Sequence, residues 1–303
     1  MRPRSLYHRH TMIKYAINDL EQLTGIKAHT IRIWEKRYNI VSPQRTCTNI
    51  RFYTNDDLRK LLSISMLNKH GFKISDIARM SDQEIQDRIV NLSMNSGDHA
   101  TLIESLVVAM IEMDEYRFEK ILTTASINLG FEDTITQVIY PFFHKVGMLW
   151  QVGAIVPAQE HFISNLIRQK LLVGIDGLTP LRREDPKTFI LYLHEGELHE
   201  IGLLMYHYIL KKRGHRVIYL GQSVPFDDLQ KVARIHPPYG LLTTFTTGMS
   251  DTALQGYLEK LSAAFAHVRI FVCGPQLRNI QPFPYGIERL QDIVTFRETI
   301  DQI

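Results

Sequence analysis

Thr188-Phe189-Ile190-Leu191-Tyr192-Leu193 runs straight into His194-Glu195-Gly196-Glu197-Leu198-His199-Glu200-Ile201-Gly202, and the reading of this junction decides the fold. The first six residues form an apolar run of strand length, the pattern of a strand buried on both faces. Beyond Gly202, Leu203, Leu204, Tyr206, His207, Ile209 and Leu210 recur at helical spacing until Lys211-Lys212-Arg213-Gly214. His199 therefore stands where a strand hands over to a helix, the edge at which open α/β sheets bind ligands. A neutral imidazole there can coordinate a metal through one nitrogen. A carboxylate from Glu197 or Glu200 on the other nitrogen would fix the tautomer and raise ligand basicity. Taken alone, a His at a strand end is more often an ordinary hydrogen-bonded side chain than a ligand.

Downstream, strands are expected near 188–193, 216–220, 240–246, 269–273 and 287–289. Helices are expected to begin near Glu200, Pro225, Ser250 and Pro275. This alternation predicts a Rossmann-like, doubly wound parallel sheet over 187–303. No Gly-x-Gly-x-x-Gly follows the first strand, so a dinucleotide site is not indicated. Residues 178–186 are a polar connection.

Upstream, the spacing predicts four helices over 99–177, a small bundle. Phe118, Ile121 and Leu122 mark the second, Ile135 to Leu149 the third, and Pro157 opens the fourth. Trp150-Gln151-Val152-Gly153-Ala154-Ile155-Val156-Pro157-Ala158-Gln159-Glu160-His161 joins the last two. This stretch reads either as a core Trp with a solvated Glu-His pair or as a ligand cap. In the second reading the indole covers a planar ligand and the carboxylate accepts its hydroxyls. Residues 81–98 are polar and read as one short helix, Asp82 to Leu92, followed by a linker.

At the N-terminus, Asn18 is expected to cap a helix over Asp19–Thr24 that ends at Gly25. A second helix runs over Ala28–Arg37 with Ile31 and Trp34 inward and His29, Thr30, Arg32, Lys36 and Arg37 outward. That is the helix-turn-helix pattern. Pro43 breaks it, and a hairpin around Thr46–Asn49 forms a wing flanked by Arg45 and Arg51. Asp56 and Asp57 open a third helix through Asn68, and Ser75 is expected to cap a fourth over Asp76–Met80.

The 303 residues carry 35 Lys+Arg against 32 Asp+Glu, but unevenly. Residues 1–80 have 15 basic and 6 acidic side chains, a balance of +9, while the remainder stands at −6. A basic head on an acidic body points to a polyanion partner at one end. Residues 1–12 are basic without an apolar centre, so they read as a disordered extension rather than a secretory signal. Cys47 and Cys273 fall in different expected domains, which argues against a disulfide framework. No apolar run reaches membrane-span length. A cytoplasmic protein with no membrane partner is expected.

From Ile17 through Leu20, Thr24-Gly25, Thr30-Ile31-Arg32, Trp34-Glu35, Arg37-Tyr38, Pro43, Arg45, Arg51-Phe52-Tyr53 and Asp56-Asp57-Leu58, the chain resembles the winged-helix domain of MerR-type transcription regulators. The resemblance covers 13–80. It implies that His29, Thr30, Arg32 and Lys36 face a DNA operator's major groove. Tyr38, Arg45, Arg51 and Tyr53 would hold its phosphates. No long coiled coil follows, so homo-oligomerisation, as dimer or tetramer, is expected by another route. Glu197-x-His199-x-x-Gly202 resembles the Asp-or-Glu-x-His-x-x-Gly motif of cobalamin-binding domains, in which the His is the lower cobalt ligand. Thr244-Phe245-Thr246 and Cys273-Gly274 occupy the family's Ser-x-Leu and Gly-Gly positions. The Trp150…Glu160-His161 spacing is similar to the helical cap of light-dependent cobalamin-binding repressors of carotenoid synthesis.

The domain order of that family implies a regulator, not an enzyme, with adenosylcobalamin between Trp150/Glu160/His161 and His199. The cofactor's tail would lie beside Glu197, Gly202, Thr244, Thr246, Cys273 and Gly274. Gln151 replaces the His by which light-sensing relatives recapture cobalt. Two other readings stay open: a regulator that has lost the cofactor and answers a protein partner or another ligand, and a corrinoid carrier subunit of an enzyme.

Overall fold

The computed structural model describes residues 14–95, 99–151, 153–179, 181–247 and 249–303, so the expected extension over 1–12 lies outside it. The chain divides into two compact units, Met1–Ile163 and Ser164–Ile303.

The first unit opens with helices α1 (Ile17–Thr24) and α2 (Ala28–Tyr38). Leu20, Ile31 and Trp34 are buried where their spacing predicts. Gly25 ends α1 in a left-handed conformation, φ +72°, that costs a glycine little. The cap differs from expectation: Ala16 holds the N-cap position, and Asp19 accepts from its backbone N–H while Asn18 lies inside the helix. The wing is a two-strand hairpin, β1 (Gln44–Arg45) and β2 (Arg51–Phe52). Helix α3 (Asn55–Lys69) starts one residue earlier than the acidic pair suggests, because Thr54 and Asp57 form a reciprocal capping box. Helix α4 is Ile74–Ile77, capped by Lys73; Ser75 lies within it, which corrects the expected cap.

Helix α5 runs over Asp82–Asn95, beyond the expected Leu92, with Ile85 and Ile89 buried. Then come α6 (His99–Glu112), α7 (Glu115–Leu129) and α8 (Phe131–Thr134). A π-turn (Ile135–Ile139) joins α8 to α9 (Tyr140–Gln151), and α10 spans Pro157–Asp176. Glu104 and Glu112 tie these helices to α3: Glu104 meets Lys69 (2.6 Å) and Lys145 (3.6 Å), and Glu112 meets Arg59 (3.4 Å) and buried Arg117 (3.0 Å). The helical segment thus packs onto the winged head within one unit.

The second unit contains a five-stranded, wholly parallel sheet: β3 (Thr188–His194), β4 (Arg216–Val224), β5 (Gly240–Thr244), β6 (Arg269–Cys273) and β7 (Ile287–Arg289). The spatial order is β4-β3-β5-β6-β7, so the chain reverses direction between β3 and β5. Helices α12 (Phe226–Ile235) and α13 (Asp251–Ala264) cover one face, their Leu229, Leu254, Leu258 and Leu261 packing on Tyr192, Leu241 and Phe245. Helix α11 (Ile201–Lys212) and α14 (Ile293–Asp301) pack on each other through Tyr206 and Phe296, rings 4.8 Å apart. Pro275–Asn279 is a single 3-10 turn rather than a helix, and α14 is an element the sequence reading passes over.

Candidate functional site

At the reversal point the loop after β3 meets the end of β5. Glu195 and Gly196 turn tightly, with Gly196 at φ +86°. The Glu197 carboxylate is fully buried. Its Oε1 accepts from the backbone N–H of Leu198 (2.9 Å) and His199 (3.0 Å) and lies 2.5 Å from Nδ1 of His199. Its Oε2 accepts from the N–H groups of Thr246 and Thr247, both at 2.9 Å. Burial works to raise the Glu197 pKa, but the His199 bond and these amides outweigh it and hold it at about 2. An ionised carboxylate only accepts, so Nδ1 of His199 donates to it, and Nε2 is the nitrogen that could coordinate a metal. The His199 side chain is 47% exposed. Among the described residues no three His, Cys, Asp or Glu side chains gather as a metal cage. The chemistry offered is one oriented imidazole.

The loop is held from β4 and α10. Ser223, a non-glycine residue at φ +52°, donates its N–H to the Glu197 carbonyl, and its hydroxyl accepts from Gly196 N–H. Gln222 donates to the Leu198 carbonyl at 2.8 Å. Buried Glu200, at the N-cap of α11, accepts from Arg168 Nε (2.6 Å) and Tyr219 OH (2.8 Å). His207 stacks on Tyr219, rings 5.1 Å apart. Arg168, Tyr219 and Ser223 carry no motif and were not singled out from sequence; only proximity reveals them.

The residues expected to lie beside a cofactor tail resolve onto two faces. Gly202 faces Thr244: a Cβ there would meet Thr244 Cγ2 at 3.7 Å. The Thr244 hydroxyl is buried with no partner. Cys273 is buried, its thiol pushed up to about 12 by burial. Phe245 points the other way, stacking on His194 (5.3 Å) within the core of α12 and α13, so it adds no bulk beside Thr244. Gly274, at φ +120°, is fixed by its neighbour, since a Cβ would lie 2.2 Å from the Phe245 carbonyl oxygen. An oriented imidazole, a glycine-cleared helix start and an orphaned buried hydroxyl suit a corrinoid with a polar tail.

In the first unit, Trp150 lies in the last turn of α9 with 48% of its surface exposed, so the indole is not the core residue of the alternative reading. Glu160 and His161 lie on α10, 3.7 Å apart, with His161 exposed. The side chain of Gln151 is outside the described set.

On α2, His29, Arg32 and Lys36 are exposed and Thr30 half-buried; Ile33, not singled out from sequence, is an exposed apolar residue on that helix. Arg45 donates to Asn49 across the wing (2.7 Å), and Arg51 lies 3.8 Å from Glu35. Tyr38 is half-buried. Tyr53 corrects its expected place among the phosphate contacts: it is fully buried, and its hydroxyl donates to Glu35 at 3.3 Å. It supports the wing from inside. Lys14 sits 4.7 Å over the Phe52 ring.

Comparison with known proteins agrees with this layout. Residues 15–84 match the MerR HTH family regulatory protein model, and residues 102–173, the helices α6–α10, match a B12 binding domain. Over 276 residues the chain is 31% identical to the HTH-type transcriptional repressor CarH of Myxococcus xanthus, spanning 88% of this chain and 91% of that protein. The repressor CarA of the same organism is 26% identical over 85% of each. The Methanosarcina barkeri monomethylamine corrinoid protein shares the fold at TM-score 0.50 and 16% identity, over 74% of this chain and all of that one. The winged head and the B12-binding segment define a DNA-binding transcription regulator rather than an enzyme. The chain belongs to the MerR-type, B12-binding regulator family that includes CarH and CarA. Among the described residues no helix is long and apolar enough to cross a membrane.

Proposed function

We propose that this regulator represses transcription in response to adenosylcobalamin, with Nε2 of His199 as the lower cobalt ligand. The Glu197–His199 pair carries the reading: a buried, ionised carboxylate 2.5 Å from Nδ1 presents the imidazole in the tautomer a metal ion requires. Thr244, Gly202 and Cys273 take the cofactor's tail, with Gly274 and Thr246 shaping the backbone around it, and Trp150, Glu160 and His161 contribute to its adenosyl side. When bound, the cofactor supplies a light-labile cobalt–carbon bond; the protein's share is to orient the imidazole and bury the tail. His29, Thr30, Arg32 and Lys36 read base edges, and Tyr38, Arg45 and Arg51 hold phosphates.

Cofactor binding sets the number of linked heads, as dimer or tetramer, that engage a repeated operator. Linking heads raises effective concentration, so occupancy changes without any altered base contact. The cofactor does this only through different affinities for the assembled and separate states.

The experiment is to mix the protein with adenosylcobalamin and compare its spectrum with that of His199→Ala, then to run size-exclusion chromatography in darkness and after illumination. A red complex whose spectrum shifts in the variant supports axial ligation. An unchanged spectrum removes it, and normal DNA binding with no corrinoid retained points to a cofactor-free regulator.

A further inference from the structure

Tyr15 touches both functional halves of the first unit. Its ring is 1% exposed. Its hydroxyl lies 2.9 Å from the Ala154 carbonyl oxygen and 2.5 Å from Oδ1 of Asn55 at the start of α3, and its single proton is shared between these two acceptors. Ala154 belongs to the turn that follows Trp150: Gly153 N–H donates to the Trp150 carbonyl (3.0 Å) and Ala154 N–H to that of Leu149 (2.8 Å). In the other direction, the Tyr15 backbone exchanges two 2.9 Å hydrogen bonds with Tyr53. Tyr53 is buried and donates to Glu35 on α2, the helix that carries His29, Arg32 and Lys36; Arg51 of the wing reaches the same carboxylate. The links from the turn after Trp150 to the DNA-reading helix run through two buried tyrosines and one backbone bridge.

We propose that Tyr15 is a positioning residue that couples the turn after Trp150 to α2, so that what is held at Trp150 and what is held on α2 bias one another. The Tyr15 hydroxyl fixes the distance between that turn and α3, and its backbone fixes the wing against α1. A turn displaced by a ligand must break this bond or carry Tyr15, the wing and Glu35 with it. Linkage requires the effect to be reciprocal: DNA on α2 must steady the turn as a ligand at the turn alters DNA affinity. Position between two sites is not itself coupling, so the test reads the coupling directly. Only the ligand's identity rests on the cobalamin reading.

The test uses the full chain, an operator duplex obtained by selection from randomised DNA, and hydrogen exchange of the peptide containing Gly153 and Ala154. In the wild-type protein the duplex is expected to slow exchange of these amides about five-fold or more. In Tyr15→Phe, which keeps the ring and the backbone bridge, that slowing is expected to vanish while operator affinity without corrinoid stays within about two-fold. Adenosylcobalamin is expected to change the affinity of a single head for a duplex carrying one half-site in the wild type and not in the variant, whereas the gain from linking heads on a repeated operator is expected in both. Equal slowing of exchange in both proteins overturns the proposal. If neither protein retains corrinoid, the cobalamin reading fails while the exchange comparison still decides the role of Tyr15. Should Tyr15→Phe not fold, Tyr53→Phe removes the hydroxyl that donates to Glu35 and cuts the path at its DNA end. It is judged by the same exchange: loss of the DNA-induced slowing supports the coupling and its persistence overturns it.

Discussion

Oε1 of Glu197 stands 2.5 Å from Nδ1 of His199 while Oε2 of the same carboxylate is held by two backbone amides at the end of the neighbouring strand. The imidazole is therefore oriented by the sheet itself, not by its own loop alone. Glu197→Gln places an NH2 group where an acceptor served backbone N–H groups. Urea unfolding is expected to show a loss of about 1–3 kcal/mol. Spectral titration is expected to show corrinoid affinity lower by about 10–100-fold. Wild-type values in both measurements would falsify the orienting role.

Two glycines at the site are expected to respond oppositely to alanine. At Gly274 the new Cβ falls 2.2 Å from a backbone carbonyl oxygen at φ +120°, so Gly274→Ala should cost more than about 3 kcal/mol in chemical denaturation. At Gly202 the Cβ meets only a methyl group at 3.7 Å, in a helix where alanine is favoured. Gly202→Ala should unfold at or above the wild-type midpoint yet bind corrinoid more weakly. Full binding by Gly202→Ala would show that nothing enters between α11 and Thr244.

Glu200 is buried with two donors, Arg168 and Tyr219. Arg168 is 47% exposed, so its ion pair is partly screened, and Arg168→Ala is expected to cost about 1–2 kcal/mol. Tyr219→Phe leaves the ion pair and should cost about 1 kcal/mol. The double variant should lose more than the sum, because the carboxylate is then buried without either donor. Simple additivity in denaturation midpoints would show that Glu200 finds other partners.

Acid sensitivity should begin above the carboxylate range. Burial holds His207 at about 4, and burial with Arg183 nearby does the same for His215, against an ordinary 6.5. Both pKa values are depressed in the folded state, so below about pH 6.5 the unfolded chain takes up protons that the folded chain refuses. Stability is expected to fall as pH drops from 6.5 towards 4. Urea midpoints for His207→Gln/His215→Gln should fall less steeply over that window; parallel slopes for both proteins would contradict the assignment.

On the DNA side, Arg45→Ala should weaken binding to all sequences and reduce the slope of log affinity against log salt by about 1. Thr30→Ala should change the sequences recovered from a randomised pool without changing that slope. Fluorescence anisotropy across a salt series separates the two, and an unchanged slope for Arg45→Ala would mean the wing does not meet the backbone.

Much of this architecture is local in origin and was legible. Leu20, Ile31 and Trp34 at helical spacing, with Gly25 to break it, are enough for the helix-turn-helix, and the apolar run Phe189–Leu193 for the central strand. The errors were also local. Ala16 caps α1 through Asp19 rather than Asn18 through its own side chain, and Pro275 opens one turn, not a helix. Helix α14 had a readable signal in Asp292, which caps it by accepting from Thr295, and in Ile293, Phe296 and Ile300, which are all buried.

By itself the sequence determined most of the elements and set His199 at the handover from β3 to α11, because side-chain periodicity, caps and turn residues act over a few positions. Only the tertiary structure decided that Thr246 and Thr247 clamp Glu197, that Phe245 turns away from Thr244, that Tyr53 is buried, and that Tyr15 meets Ala154 139 residues away. Those relations depend on how strands and helices pack, and burial and distance between remote residues exist only once the chain has closed on itself.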